Sequence, residues 1–187
     1  MSIQLTSFDA MHDLMKDKIT KDDITIISGN GGFAAMSDHF AGELIPLGYP
    51  IVATSSLATI TAIANDHSYN ETIIKYICAF IPKNIILMTT SGTSSNVMEA
   101  LEFIGRRIPH VDVWLISGSS PKLLTPTDEM YKSSKHLNLW VHKPAAYGED
   151  ESDKDTITAR RQESTLRLLH EIYLSIKRKE EREIESD

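Results

Sequence analysis

Apolar residues recur at helical spacing from about Phe8 to Ile19 (Phe8, Met11, Leu14, Met15, Ile19), and Lys21-Asp22-Asp23 then interrupts the pattern, so one short amphipathic helix is expected to open the chain. Ile24-Thr25-Ile26-Ile27-Ser28 is rich in β-branched residues and reads as a strand. It runs into the glycine turn Gly29-Asn30-Gly31-Gly32 and a helical stretch from about Phe33 to Leu44. The pattern then alternates. A strand is predicted around Ile51 to Ala53, helices around Ser56 to Ile63 and Glu71 to Phe80, and a strand from Ile85 to Met88. A helix from Val97 to Arg107 and strands Val111 to Ser117 and Leu137 to Val141 follow. From Thr156 to about Arg182 a long helix carries the stripe Leu166, Leu169, Ile172, Tyr173, Ile176, and its charged tail from Lys177 to Glu185 is expected to fray. Gly148 to Asp155 is acidic and without apolar content, and reads as an exposed, mobile loop.

Continuous apolar strands alternating with helices indicate an α/β protein. The expectation is a three-layer αβα sandwich around a mainly parallel, five-stranded sheet, covered on both faces. No linker-like stretch divides the chain, so residues 1–187 are read as a single domain. In such folds ligands bind beyond the carboxyl ends of the strands, and two loops of unusual chemistry fall there.

One is the glycine turn after the first strand. The other is Thr89-Thr90-Ser91-Gly92-Thr93-Ser94-Ser95-Asn96, in which six of eight residues carry a hydroxyl, placed between a strand and a helix. Backbone N–H groups at a helix start are unpaired and sit at the positive end of the macrodipole, so such a loop can hold an oxyanion. It has no lysine and lacks the GxxxxGK[ST] pattern, which argues against ATP or GTP and for a small phosphorylated metabolite.

Charge sharpens this reading. With 26 acidic and 19 basic residues, a formal charge of −7, no overall field favours nucleic acid or an anionic membrane, and an anionic ligand must be captured by local donors. Cys78 is the single cysteine and is expected to be a small buried residue in a reducing cytoplasm. No apolar run reaches the roughly 20 residues that span a bilayer, and Met1-Ser2-Ile3-Gln4 does not read as a signal peptide. A cytoplasmic protein follows as the expectation.

For chemistry, His39 and Glu43 stand four apart on one helix face, where an imidazole and a carboxylate can share a metal or a substrate, a spacing equally typical of a solvated pair. Gln162 and His170 on the last helix carry little signal alone. In combination, Gly29-Asn30-Gly31-Gly32, His39-Phe40-Ala41-Gly42-Glu43-Leu44, Ala62-Ile63-Ala64-Asn65-Asp66 and Thr90 to Val97 resemble the sugar isomerase (SIS), flavodoxin-like fold. Within it the chain is most similar to the phosphoheptose isomerases, in order from about Ile24 to about Ile176.

That resemblance implies an enzyme interconverting sedoheptulose 7-phosphate and a manno-heptose 7-phosphate through an enediolate. It implies substrate contacts from Asn30, Gly31, Gly32, Asp66, Thr89, Thr90, Ser91, Ser94 and Gln162, and catalysis by Glu43 and His170. It also implies one zinc ion per subunit held by His39, Glu43, Gln162 and His170, and a homo-oligomer, a tetramer in the family, with sites built across subunit boundaries. The alternative is a non-catalytic SIS protein that senses phosphosugars or binds a partner such as the replication initiator DnaA, or an isomerase of another phosphosugar.

Residues eight apart on a straight helix are separated by about 12 Å of rise and about 80° of rotation, so Gln162 and His170 meet one ion only if both reach towards it from opposite sides, the helix bends or they come from different subunits, which ranks zinc below the acid/base assignment of Glu43 and His170. Three positions depart from the family. Phe33 replaces a serine after the glycine turn and is expected to put a ring beside the phosphate; Leu47 replaces an arginine and Ala159 an aspartate. Arg160 or Arg161 offers a replacement cation, against the simpler reading of a solvated charged face. His67, His110, His136 and His142 match no family site.

Overall fold

The computed structural model describes residues 2–108, 110–118, 138–144 and 154–186. His136 and most of the acidic segment from Gly148 lie outside them. A first strand, β1 (Ser2–Thr6), precedes helix α1 (Phe8–Lys18), which Ser7 caps by accepting from the Ala10 N–H. The order continues β2 (Thr25–Gly29), α2 (Gly32–Leu44), β3 (Ile51–Ala53), α3 (Leu57–Asp66), α4 (Thr72–Phe80), β4 (Asn84–Thr89), α5 (Ser95–Arg107), β5 (Asp112–Ser117), β6 (Asn138–His142) and α6 (Lys154–Ser186). All strands pair in parallel, in the order β1-β6-β5-β4-β2-β3.

Among the described residues the sheet has six strands where five were expected. Ser2–Thr6 offers only Ile3 and Leu5 as apolar positions, and Leu5 is 82% exposed, so no local period marks it. What makes it a strand is pairing with β6, from Ser2↔Asn138 to Thr6↔His142, a partner more than a hundred residues away.

The period of two along each central strand divides the interior into two cores. Ile27, Ile86, Met88, Trp114, Ile116 and Trp140 face α1, α2 and α6. Ile26, Ile85, Leu87, Val113, Leu115, Leu139 and Val141 face α4 and α5. Helix α6 buries Thr165, Leu168, Leu169, Ile172 and Ile176, so Leu168 replaces the expected Leu166 in its stripe. Its charged end does not fray. The helix continues to Ser186, and Glu180 anchors it by accepting from the Tyr49 hydroxyl (2.8 Å) and from Lys21. That lysine contact, with the tyrosine bond behind it, holds the Glu180 carboxyl below the ordinary range.

Cys78 is exposed on the outer end of α4 rather than buried, because Ile73, Tyr76 and Ile77 take the inward face of that helix. Among the described residues no helix is long and apolar enough to cross a membrane. Helix α3 has no buried residue although Leu57, Ala58, Ile60, Ala62, Ile63 and Ala64 dominate it, and Leu57 is 75% exposed. Since β2 is flanked by β3 on one side and β4 on the other, chain direction switches between β2 and β4. The glycine turn and the hydroxyl loop end these two strands, at the position where parallel sheets open a crevice.

Candidate functional site

The glycine turn is a conformational necessity at Gly31, whose φ of +57° is the left-handed region that a side chain disfavours. It lets the chain leave β2 and enter α2 at Gly32 at once. Asn30, at the apex, does not point freely into the crevice. Its Nδ2 donates to Asn96 Oδ1 (2.9 Å), Asn96 Nδ2 donates back to Asn30 Oδ1 (2.8 Å), and the Tyr69 hydroxyl donates to the same Asn30 oxygen (3.0 Å). The two loops are therefore bolted together by a reciprocal amide pair. A cavity of about 200 Å³ opens beside it, lined among others by Ser28, Asn30, Thr54, Tyr69 and Asn96.

Within the hydroxyl loop, Thr89 Oγ1 meets Ser94 Oγ (2.9 Å) and accepts from the Gly92 N–H (3.2 Å), while Ser91 Oγ accepts from both the N–H and the hydroxyl of Thr93. Gly92 has φ +70°, which folds the loop back on itself. Ser94 is the N-cap of α5, and the first helical bond runs from the Met98 N–H to the Ser94 carbonyl. The amides of Ser95, Asn96 and Val97 thus start the helix with no carbonyl behind them, a ready set of anion donors. Ser95 Oγ is held by Asn70 Oδ1 (2.7 Å).

A second group lies on the flank formed by α2 and α6. His39 Nε2 and His170 Nε2 are 2.9 Å apart, and Glu43 Oε1 is 3.7 Å from the first and 3.8 Å from the second. The imidazoles meet edge to face, with centroids 5.1 Å apart. Glu43 Oε2 is buried with no hydrogen-bond partner. Three ligand-type atoms converging from two helices, with an orphaned carboxylate oxygen beside them, form a group able to hold a metal ion.

Gln162 lies elsewhere on α6. Its carboxamide packs on Gly32, so closely that a Cβ there would stand 2.7–2.9 Å from it. Gly32 is seven residues before His39, about 10 Å along α2, so Gln162 sits toward the crevice and His170 toward the flank, as the eight-residue spacing on a straight helix requires. Asp66 ends α3, exposed and bonded to Asn65 Nδ2 (2.9 Å), three residues before Tyr69.

The Phe33 ring does not stand beside the loop as expected. It is 3% exposed and packed in the core of Ile27 and Met88, since its Cα sits at the inward side of the first turn of α2. Leu47 packs against the same core from a short 3-10 turn, Ile45–Leu47, and Ala159 is exposed. Of the two arginines, Arg160 faces solvent and pairs with Glu163 (3.0 Å), while Arg161 turns inward to lie on Gly118 at the end of β5.

The sequence offered Asn96 only as the last residue of the hydroxyl loop and Arg161 only as one of two candidate cations, although a further signal for each was present. Asn96 belongs to the buried stripe Asn96, Ala100, Ile104, and Arg161 to the stripe Arg161, Thr165, Leu168. A polar residue in phase with a buried stripe is a candidate for an interior role. Tyr69 and Asn70 carried no such mark.

An all-parallel αβα sandwich with a hydroxyl loop at the switch point and a His/Glu/His group on one flank defines a protein of the sugar isomerase (SIS) fold. Proteins it is similar to include phosphoheptose isomerases, and it spans about half the length of the curated ones it matches. The structure matches that of phosphoheptose isomerase GmhA from Neisseria gonorrhoeae with a TM-score of 0.69 at 24% identity, covering 91% of this chain and 84% of that one. The phosphoheptose isomerase from Francisella tularensis gives the same TM-score and coverage at 21% identity. In sequence, a segment of 92 residues is 40% identical to phosphoheptose isomerase of Chromohalobacter salexigens, and one of 85 residues is 46% identical to that of a Shewanella species. These segments span 47% and 42% of the two relatives, and 44% and 40% of this chain. No family model matches the chain.

Proposed function

We propose that the protein is a phosphoheptose isomerase, converting sedoheptulose 7-phosphate to D-glycero-D-manno-heptose 7-phosphate. The convergence of His39, Glu43 and His170 on one flank, about 10 Å of helix from the glycine turn, carries this reading. That separation suits an extended phosphosugar, its phosphate in the hydroxyl loop and its reacting carbons at the triad.

The chemistry needs a base that removes a proton from C1 of the ketose and returns it to C2, while the hydroxyl proton on O1 is lost and one is gained on O2. Glu43 and His170 are the acid/base pair. Of the Glu43 oxygens, Oε1 faces both imidazoles, and Oε2 is buried without a hydrogen-bond partner. Asn30, Thr89, Thr90, Ser91, Ser94 and the first amides of α5 position the phosphate, Asp66 contacts the sugar hydroxyls, and Gly31, Gly32 and Gln162 complete the substrate contacts. Binding energy spent there orients carbons that the loop never touches.

A zinc ion fits the donor set. Ligand atoms about 2.0–2.2 Å from a tetrahedral zinc stand about 3.3–3.6 Å from one another. The observed separations of 2.9, 3.7 and 3.8 Å bracket that range. His39, Glu43 and His170 would hold the ion. When bound, zinc supplies a positive charge beside the reacting oxygens.

The triad is open to solvent on this chain, His39 being 52% and His170 41% exposed in their side chains. With the apolar, unburied α3, this supports a homo-oligomer, a tetramer as in the resemblance, in which another copy covers the site. A cytoplasmic location and supply of heptose to lipopolysaccharide or capsule belong to the same proposal. The alternative of a non-catalytic SIS sensor drew on Phe33, Leu47 and Ala159, of which the Phe33 ring is in the core, away from the phosphate loop.

The test is incubation of the purified protein with sedoheptulose 7-phosphate across a zinc series, following the aldose. Turnover that disappears in Glu43→Gln while phosphosugar binding persists is the expected outcome. No aldose at any zinc concentration would sink the proposal.

A further inference from the structure

Arg161 is unlike the other cations of α6. Its side chain leaves the helix toward the sheet and lies against Gly118, the residue that follows β5, where a Cβ would come within 2.6 Å of both its Cδ and its Nη1. The missing side chain of Gly118 is the space it occupies. The same spot is bordered by the Thr90 carbonyl, because β4 and β5 run in register to Thr89↔Ser117 and the Gly118 N–H donates to the Thr89 carbonyl (3.1 Å). The guanidinium is thereby set against the base of the hydroxyl loop. Its Nε is buried and has no hydrogen-bond partner, and among the described residues no carboxylate pairs with it.

A buried guanidinium nitrogen without an acceptor is costly unless something negative completes it. The loop beside it is an arrangement of neutral donors with no lysine, and the chain carries a net charge of −7, so an anion entering here gains little from the overall field. We propose that Arg161 is the cation of this anion site. It reaches over Gly118 to pair with the phosphate monoester of the substrate and makes the site selective for phosphorylated over neutral sugars. Its planar fork matches two phosphate oxygens, which a lysine ammonium cannot do. Gln162, the next residue, turns to Gly32 on the other side of β4, so the start of α6 straddles the hydroxyl loop. The assignment rests on the phosphosugar reading above only for the identity of the substrate, since the anion site itself can be probed with inorganic phosphate.

The experiment measures binding of inorganic phosphate and of sedoheptulose 7-phosphate by calorimetry, on the full chain, for the wild type and Arg161→Met, Arg161→Lys and Arg160→Met. Arg161→Met is expected to weaken both ligands by about tenfold or more, Arg161→Lys to recover part of the loss, and Arg160→Met to leave both affinities unchanged. If the enzyme turns over, Arg161→Met raises KM far more than it lowers kcat. Melting curves verify that each variant is folded, and Arg161→Lys serves if Arg161→Met is not. A wild type that binds phosphate through Arg161 without isomerising any sugar supports this inference and removes the isomerase reading. An active enzyme whose folded Arg161→Met variant keeps phosphate affinity and KM within twofold overturns the inference and leaves the isomerase reading standing. A wild type that binds no phosphate at millimolar concentration overturns it as well.

Discussion

Replacing Asn96 by alanine removes the bolt between the glycine turn and the hydroxyl loop, and its cost can be worked out from the contacts. Asn96 is 3% exposed. It donates to Asn30 Oδ1 at 2.8 Å and accepts from Asn30 Nδ2 at 2.9 Å. Alanine loses two hydrogen bonds, each worth about 1 kcal/mol net, and it leaves the Asn30 amide hydrogen facing a small void, while Asn30 Oδ1 keeps the Tyr69 hydroxyl. The expected loss is about 2–4 kcal/mol. For a chain of this size that lowers Tm by about 5–15 °C. Denaturant unfolding of the wild type, Asn30→Ala, Asn96→Ala and the double variant gives the decisive quantity. Because the two amides satisfy each other, the double variant should cost at least about 1 kcal/mol less than the sum of the single ones. Additive losses, or an Asn96→Ala variant as stable as the wild type, would refute the reciprocal pair as the link between the loops.

Other perturbations separate site from scaffold. Gly32→Ala pushes the Gln162 carboxamide from a position 2.7–2.9 Å away; since that is the flexible end of a side chain, stability should change by no more than about 1 kcal/mol. The same variant should lower kcat/KM about tenfold or more, and unchanged kinetics would remove Gln162 from the site. Phe33→Ser, which restores the hydroxyl expected after the glycine turn, should destabilise by about 3–5 kcal/mol in a melt because the ring fills the core, and an unchanged Tm would contradict its placement. Burial, opposed by a bond to the Thr6 carbonyl, holds His142 neutral below its ordinary 6.5. The unfolded chain then takes up a proton that the folded chain refuses, so stability is full above about 6.5 and falls as pH drops through that value toward the lower folded pKa. His142→Gln should flatten that part of the profile in acid titrations followed by circular dichroism.

The sheet's inner strands were legible because each is a short β-branched or apolar run buried on both faces, and the helices because their apolar residues repeat at about 3.6. β1 was not, since an edge strand of Ser2-Ile3-Gln4-Leu5-Thr6 has no local pattern to distinguish it from a loop. The end of α6 was misread for a related reason: its charges are arranged to be solvated, and what holds it is one remote tyrosine and one remote lysine meeting Glu180. In the site, the residue types pointed to the hydroxyl loop, and the family resemblance, rather than spacing, pointed to His39, Glu43 and His170. They did not reveal that Asn30 is engaged by Asn96, or that Arg161 rather than Arg160 turns inward.

By itself, the sequence determined the alternation of strand and helix, the glycine turn from Gly29 to Gly32, the absence of a lysine from the anion loop and the four-residue step that sets His39 over Glu43. Each of these is fixed by neighbours within a turn or two of chain. Only the tertiary structure decided which side chains from distant segments share a volume: His170 against His39, Gln162 against Gly32, Phe33 in the core, and Arg161 in the space that Gly118 leaves open. A packed interior admits one arrangement of such contacts, and it is set by the phase of each helix against the sheet, which no local window of the chain contains.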